Sequence, residues 1–255
     1  TSSGMSAIQL ICNLFKTGDE ILVSFDLYGG TFRLFDFYEQ QYGIHFKYVD
    51  FLNYEEVEQS ITENTKALFI EPISNPQMIE VDIDPYYILS KKFNLLTIID
   101  NTFLTPYLST PLEDGADIVL HSATKYIGGH NDVLAGVVTV NDDALAEQLA
   151  QLHNMIGATL SPFDSYLLQR GLKTLHIRMD RSEYNAKLLA ERCSNLDAID
   201  KVLYSGRTGM LSLRLNKAYK ADKFLEHLEV CLFAESLGGT ETFITFPYTQ
   251  THVDM

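Results

Sequence analysis

Positive charge is scarce in this 255-residue chain, where 19 Lys and Arg stand against 34 Asp and Glu for a formal charge of -15. The deficit excludes a nucleic-acid partner, whose phosphates need a basic surface. No run of about 18 apolar residues occurs, so no membrane partner is expected. The opening TSSGMSAIQL lacks the basic start of a secretory signal, which leaves the cytoplasm as the expected location. Cysteine is equally sparse. Cys12, Cys193 and Cys231 are odd in number and far apart, in apolar or helical surroundings, so reduced buried thiols are expected rather than disulfides. No Cys or His spacing matches a metal-ligand set, and no metal is expected. Self-similar repeats and low-complexity tracts are absent too, which excludes solenoids and disordered arrays.

What is present is a chain 46% hydrophobic, long enough to bury one large core with a smaller one beside it. Short apolar runs alternate with helical spacing. Strands are predicted at 20–24, 45–49, 67–70 and 95–100, and helices at 1–16, from about 31, at 54–61 and at 83–93. The alternation predicts an α/β fold, a mostly parallel sheet covered on both faces. Past Thr139 the pattern changes, with helices at 142–156, 164–170, 174–193 and 220–228 and strands at 211–215 and 230–233. In the 174–193 helix, Leu175, Ile177, Leu188 and Leu189 are candidate core residues. A large domain over 1–160 and a smaller α+β domain over 161–255 are therefore expected.

The stretch Leu95 to Thr139 concentrates reactive side chains. One apolar run ends in Asp100, and the next, Ile118 to Leu120, opens into His121, Ser122, Thr124 and Lys125. Ligands of open α/β sheets sit beyond the carboxyl ends of parallel strands, where an acid and an amine could face one molecule from two sides. A lysine after small hydroxyl residues is a candidate Schiff-base nucleophile, and Gly128, Gly129 and Gly136 would let backbone approach closely. An aldehyde cofactor between Asp100 and Lys125 is the working expectation. His121 and His130 read as structural hydrogen-bonders, since no acidic or Cys partner at ligand spacing accompanies them.

Other strand and helix ends supply further candidates. Ser3, Gly4 and Met5 begin a helix whose free N–H groups could hold a phosphate, although a plain Ser N-cap explains the same residues. Arg33, in the first turn of the next helix, is opposed by the helix dipole and suits an anionic ligand as well as it suits solvent. Asn75, in Ile73-Ser74-Asn75-Pro76, could bond a ligand or simply form a turn. Glu235-Ser236-Leu237-Gly238-Gly239 offers small residues after a strand, where backbone N–H groups could take a carboxylate.

Taken in order, SSGMSAI, DLYGGTFRLF, EPISNP, IIDNTF, ADIVLHSATKYIGGHNDVLAG, QRGLKTLHIRM and ESLGGTET resemble the pyridoxal-phosphate-dependent trans-sulfuration enzymes of cysteine and methionine metabolism. The resemblance implies the aspartate aminotransferase-like fold and pyridoxal 5'-phosphate as cofactor. By the resemblance, Lys125 matches the lysine that holds the cofactor and then moves protons, and Asp100 the acid beside the pyridine nitrogen. Tyr28 matches the tyrosine stacked on the ring, which can also assist proton transfer, and Asn75 a residue near the ring hydroxyl. Gly4 and Met5, at the Ser3-initiated helix start, match the phosphate cradle together with Ser122 and Thr124. Arg33, Glu235 and Ser236 match substrate-binding positions of the cystathionine γ-synthase and γ-lyase pattern.

That likeness implies γ-replacement on an O-acylated homoserine by cysteine, or by sulfide, giving cystathionine or homocysteine in methionine biosynthesis. Cystathionine γ-lyase chemistry is the alternative, and a non-catalytic interaction protein that kept the fold is an alternative of another class. A homo-oligomer, a dimer of dimers, is implied because the family completes its site across a subunit interface. The family's N-terminal Tyr and Arg segment and its C-terminal carboxylate-binding Arg have no match here. The chain is accordingly expected to be part of a longer protein.

Overall fold

The computed structural model describes residues 1–249. Its central sheet is built from β1 (Glu20–Ser24), β2 (His45–Val49), β3 (Thr65–Ile70), β4 (Leu96–Asp100), β5 (Ile118–Ser122) and β6 (Gly136–Val140). The order across the sheet is β2-β1-β3-β4-β5-β6, parallel throughout except that β6 runs antiparallel to β5. Helices α1 (Gly4–Cys12), α2 (Gly29–Tyr42), α3 (Tyr54–Ser60) and α4 (Asp84–Phe93) cover it, and the short turns α5 (Thr105–Leu108) and α6 (Pro111–Asp114) link β4 to β5.

The alternation of side chains along a strand divides the core between the two faces. Ile21, Val23, Phe69, Ile98 and Leu120 pack against Ile8 and Ile11 of α1 and Phe35 and Tyr38 of α2. Their sequence neighbours Leu22, Leu68, Ile70, Ile99 and Val119 point the other way, onto Val57 of α3 and Tyr86 and Leu89 of α4. Leu22, Leu68, Ile98 and Ile99 are among the fully buried side chains, each worth about 1.5–3 kcal/mol of burial. The mostly parallel, doubly covered sheet expected from the sequence is the observed one.

The remaining elements are α7 (Asp143–Ile156), α8 (Pro162–Leu172), α9 (Leu175–Cys193), the antiparallel pair β7 (Ile199–Leu203) and β8 (Ser212–Leu215), α10 (Ala221–Leu225), and the short parallel strands β9 (Leu232–Phe233) and β10 (Phe243–Ile244). Asp142 caps α7 by accepting Leu145 N–H at 2.7 Å, and Ser161 caps α8 by accepting Asp164 N–H at 3.0 Å.

Several expectations are corrected. The first helix stops at Cys12 rather than at residue 16, and β6, β7 and β10 were not foreseen. Ile177 and Leu189 are 60% and 47% exposed; Leu175, Met179 and Ala186 form the buried stripe of α9. Ile177 stands about 200° around the helix from Leu175, so both cannot face the same core. All three cysteines are free, but only Cys12 is buried, while Cys193 and Cys231 are half-exposed. Among the described residues no helix is long and apolar enough to cross a membrane, and no His, Cys, Asp and Glu cluster is arranged to hold a metal ion.

Candidate active site

Strand β1 lies between β2 and β3, so the chain leaves it first to one side and then to the other. Such a switch point opens a crevice at the carboxyl ends of the strands. Side-chain alternation then selects what faces the crevice. Glu71 lies two residues beyond Phe69, Asp100 two beyond Ile98 and Ser122 two beyond Leu120, so all three continue the face that packs on α1 and α2.

Asp100 is held through a chain of hydrogen bonds from the neighbouring strand. Ser122 N–H donates to Thr102 Oγ1 at 2.8 Å, and Thr102 donates its hydroxyl and its N–H to Asp100 Oδ1 at 2.5 and 3.0 Å. The second oxygen, Oδ2, has no hydrogen bond to the protein among the described residues. Burial pushes the Asp100 carboxyl up to about 6, against the pull of the Thr102 bonds.

Tyr28 closes the turn after β1 and starts α2, with the residue 41% exposed. Its N–H donates to Glu71 Oε1 at 3.1 Å, across the switch point. A Cβ at Gly30 would come within 2.4 Å of Tyr28 Cε1, so only glycine there lets the ring lie down over the helix start. Burial, and then the adjacent Asp100 carboxylate, push Glu71 well above the ordinary carboxylate range.

Lys125 sits in the tight loop between β5 and β6, and its Nζ donates to Ser236 Oγ at 3.4 Å. Burial lowers the lysine's proton affinity, partly offset by the Glu235 carboxylate. The loop is clamped from the C-terminal side. Tyr126 is buried among Leu175, Met179 and Leu237. Arg178 donates to the carbonyls of Tyr126 and Gly171 at 2.5 and 2.7 Å and to Thr174 Oγ1 at 3.0 Å. Gly238, at φ +80, would put a Cβ within 2.5 Å of Tyr126 N, which fixes the ESLGG turn against the lysine's own backbone.

At the other end of the crevice, Ser3 caps α1 by accepting Ser6 N–H at 3.0 Å. A Cβ at Gly4 would meet Ser122 Cβ at 2.7 Å, so glycine brings the positive end of α1 onto the end of β5. Met5 follows on the same first turn. The Ser122 hydroxyl makes no hydrogen bond to a described residue. Thr124 differs: its hydroxyl donates to Ala135 O at 3.2 Å and accepts Ala135 N–H at 3.0 Å, which ties the two arms of the lysine loop together. Arg33 is exposed one turn into α2, and Asn75 is half-buried in the loop after β3. Burial pushes His121 down to about 4, leaving a neutral ring 3.4 Å from Asn101 Nδ2. His130 bonds Gly128 O at 2.9 Å.

An acid at the end of β4, a desolvated amine in the loop after β5 and a helix N-terminus packed on the end of β5 are the parts of an aldehyde–phosphate site. Over residues 1–255 the chain matches the family model of Cys/Met metabolism PLP-dependent enzymes. The chain belongs to this family. It is a pyridoxal-phosphate-dependent enzyme of the aspartate aminotransferase-like fold, as the sequence motifs implied. It is 54% identical to cystathionine gamma-synthase/O-acetylhomoserine (thiol)-lyase of Bacillus subtilis (strain 168), over all of this chain and 68% of that protein. It is 49% identical to cystathionine gamma-synthase of Haemophilus influenzae, over all of this chain and 69% of that one. Among solved structures it resembles cystathionine gamma-lyase of Lactobacillus plantarum complexed with L-serine, with a TM-score of 0.96 and 40% identity over 99% of this chain and 70% of that one.

The residues fit the cofactor. Among the described residues Asp100 keeps Oδ2 clear of protein donors, the Ser122 hydroxyl and the α1 N-terminus stand together, and Lys125 has one hydrogen-bonded neighbour. Thr102 and Glu71 were not singled out from the sequence. Strand-end position and period-two spacing would have flagged Glu71, which follows β3 as Asp100 closes β4.

Proposed function

We propose that this enzyme catalyses γ-replacement on an O-acylated homoserine. The Cγ–O bond breaks, the acyl group leaves as a carboxylate, a Cγ–S bond forms to cysteine or sulfide, and the thiol proton is released. The product is cystathionine or homocysteine. The observation that carries the reading is the ESLGG turn packed onto the lysine loop, with Ser236 Oγ 3.4 Å from Lys125 Nζ and Glu235 close enough to raise that amine's proton affinity. The names of the 54% and 49% identical relatives support the same chemistry.

Each residue then has a task. Ser3, Gly4 and Met5 at the α1 start, with Ser122, hold the phosphate; Thr124 mainly shapes the loop, and its hydroxyl would have to turn from Ala135 to join them. Asp100 would hold a proton at the cofactor's ring nitrogen, and Tyr28 would bind the ring and assist proton transfer. Asn75 would help hold the cofactor near its ring hydroxyl. Bound there, pyridoxal phosphate supplies an electron-withdrawing ring that stabilises negative charge on the substrate. Lys125 would take and return protons at the substrate's carbon atoms, and the burial that lowers its proton affinity favours work as a base. Glu235 receives a distal ammonium, Ser236 orients Lys125, and Arg33 meets a distal carboxylate or acyl group.

Full-length protein given pyridoxal phosphate, an O-acylhomoserine and cysteine should release cystathionine. Net conversion of cystathionine to cysteine without replacement would establish the γ-lyase alternative, and turnover of neither substrate would overturn the γ-replacement reading. Lys125→Ala should abolish the visible absorbance of the bound cofactor; unchanged absorbance would remove the lysine from its role. Residues 1–160 as the cofactor domain, 161–255 as the smaller one, a cytoplasmic location and a dimer of dimers complete the proposal. Residues 250–255 of that smaller domain lie outside the described residues. An active monomer in light scattering would overturn the oligomer.

A further inference from the structure

Three acids meet at the switch point. Glu71 from the end of β3 is 8% exposed, and the charged groups that face it are Asp100 from β4 and Asp26 from the turn after β1. Asp26 Oδ2 is itself buried and without a hydrogen-bond partner. None of these acids forms an ion pair with a Lys or Arg among the described residues. Glu71 and Asp100, like charges brought together in a desolvated site, do not both ionise readily. Glu71 nevertheless has a defined job, since its Oε1 accepts the N–H of Tyr28, the residue that starts α2.

We propose that Glu71 is a positioning residue of the cofactor site, a neutral carboxylic acid that clamps the Tyr28 backbone and leaves Asp100 as the negative charge facing the ring nitrogen. A carboxyl group suits this role because its carbonyl oxygen accepts an N–H whether or not the group is ionised. Burial and the Asp100 carboxylate, which raise the proton affinity of Glu71, agree with it. The proposal rests on the pyridoxal-phosphate reading only for its effect on cofactor binding. Its effect on the protein alone stands apart.

The test uses full-length protein, with pyridoxal phosphate as the probe. Glu71→Ala removes the clamp and should weaken cofactor binding tenfold or more with the circular-dichroism spectrum retained. Glu71→Gln, uncharged at every pH and still an acceptor, should restore the affinity at pH 7.5 to within about threefold of the wild type. Without cofactor, the Gln variant should lose less thermal stability between pH 5 and pH 8 than the wild type does, because a raised carboxyl costs stability as pH climbs above its unfolded value. A Gln variant that binds as weakly as the Ala variant would show that the charge of Glu71 is what matters, and would overturn the proposal. Equal affinity in the Ala variant and the wild type, or an unaltered pH dependence in the Gln variant, would overturn it too. If the wild type itself failed to bind pyridoxal phosphate, the site reading would fall, while the pH comparison would still decide whether Glu71 is neutral.

Discussion

Replacing Asp100 with Asn should make the cofactor-free protein more stable while weakening its hold on the cofactor. The carboxyl is raised by burial from an ordinary 3.8 to about 6. Between those two values the unfolded chain has released its proton and the folded chain still binds it, so unfolding becomes easier as pH rises. At about 1.4 kcal/mol per pH unit, Asp100 costs about 2–3 kcal/mol at pH 7, the lower figure allowing for water that reaches this partly buried side chain. Asn keeps the geometry, because one amide oxygen can still accept both Thr102 donors that now bond Oδ1. Thermal unfolding of cofactor-free protein at pH 4, 5, 6 and 7 measures the effect. The variant should melt about 4–12 °C higher at pH 7 and close to the wild type at pH 4, where both side chains are neutral. Cofactor affinity should fall tenfold or more. A stabilisation that persists unchanged at pH 4 would refute the electrostatic reasoning, as would its absence at pH 7.

Two further predictions concern the clamp on the lysine loop. Gly238→Ala, at φ +80 with its new Cβ within 2.5 Å of Tyr126 N, should cost about 1–3 kcal/mol of stability and reduce kcat by displacing Ser236 from Lys125; denaturant unfolding and turnover check both. Arg178→Ala strands the Tyr126 and Gly171 carbonyls and should cost about 2–4 kcal/mol, with faster loss of bound cofactor on dilution, read from the decay of its visible absorbance.

How legible these parts were depended on whether the physics was local. Asp100 and Lys125 stand out because each follows an apolar run that had to be a strand, and a charged side chain at a strand end is exposed to the crevice. The sheet's two faces were readable from Ile21-Leu22-Val23 and Ala67-Leu68-Phe69-Ile70, where every position is buried, as parallel strands covered on both sides require. Arg178 was not legible. In a helix with an exposed Ile177 it looks like an ordinary surface cation, and its three acceptors come from Tyr126, Gly171 and Thr174, which only folding brings together. Thr102 was hidden for a related reason: its partner Ser122 N–H lies on the adjacent strand, in a register that no local pattern encodes.

The same contrast explains why the site is assembled from so many separate turns. Burying Asp100, Glu71 and Lys125 costs free energy in the protein alone, since the acids meet no cation and the amine is desolvated. A ligand that brings a protonated ring nitrogen to Asp100 and an electrophile to the amine relieves both of those penalties at once, so ligand binding and folding stability are linked through these residues. Elements held by only a few hydrogen bonds respond most to that linkage. The Tyr28 turn hangs on Glu71 and the Ser236 turn on the lysine loop. Cofactor binding should therefore slow amide exchange at Tyr28 and at 236–239 more than in β3 and β4, whose side chains are already packed on both faces. Uniform protection across all four segments would show instead that the site is rigid before the cofactor arrives.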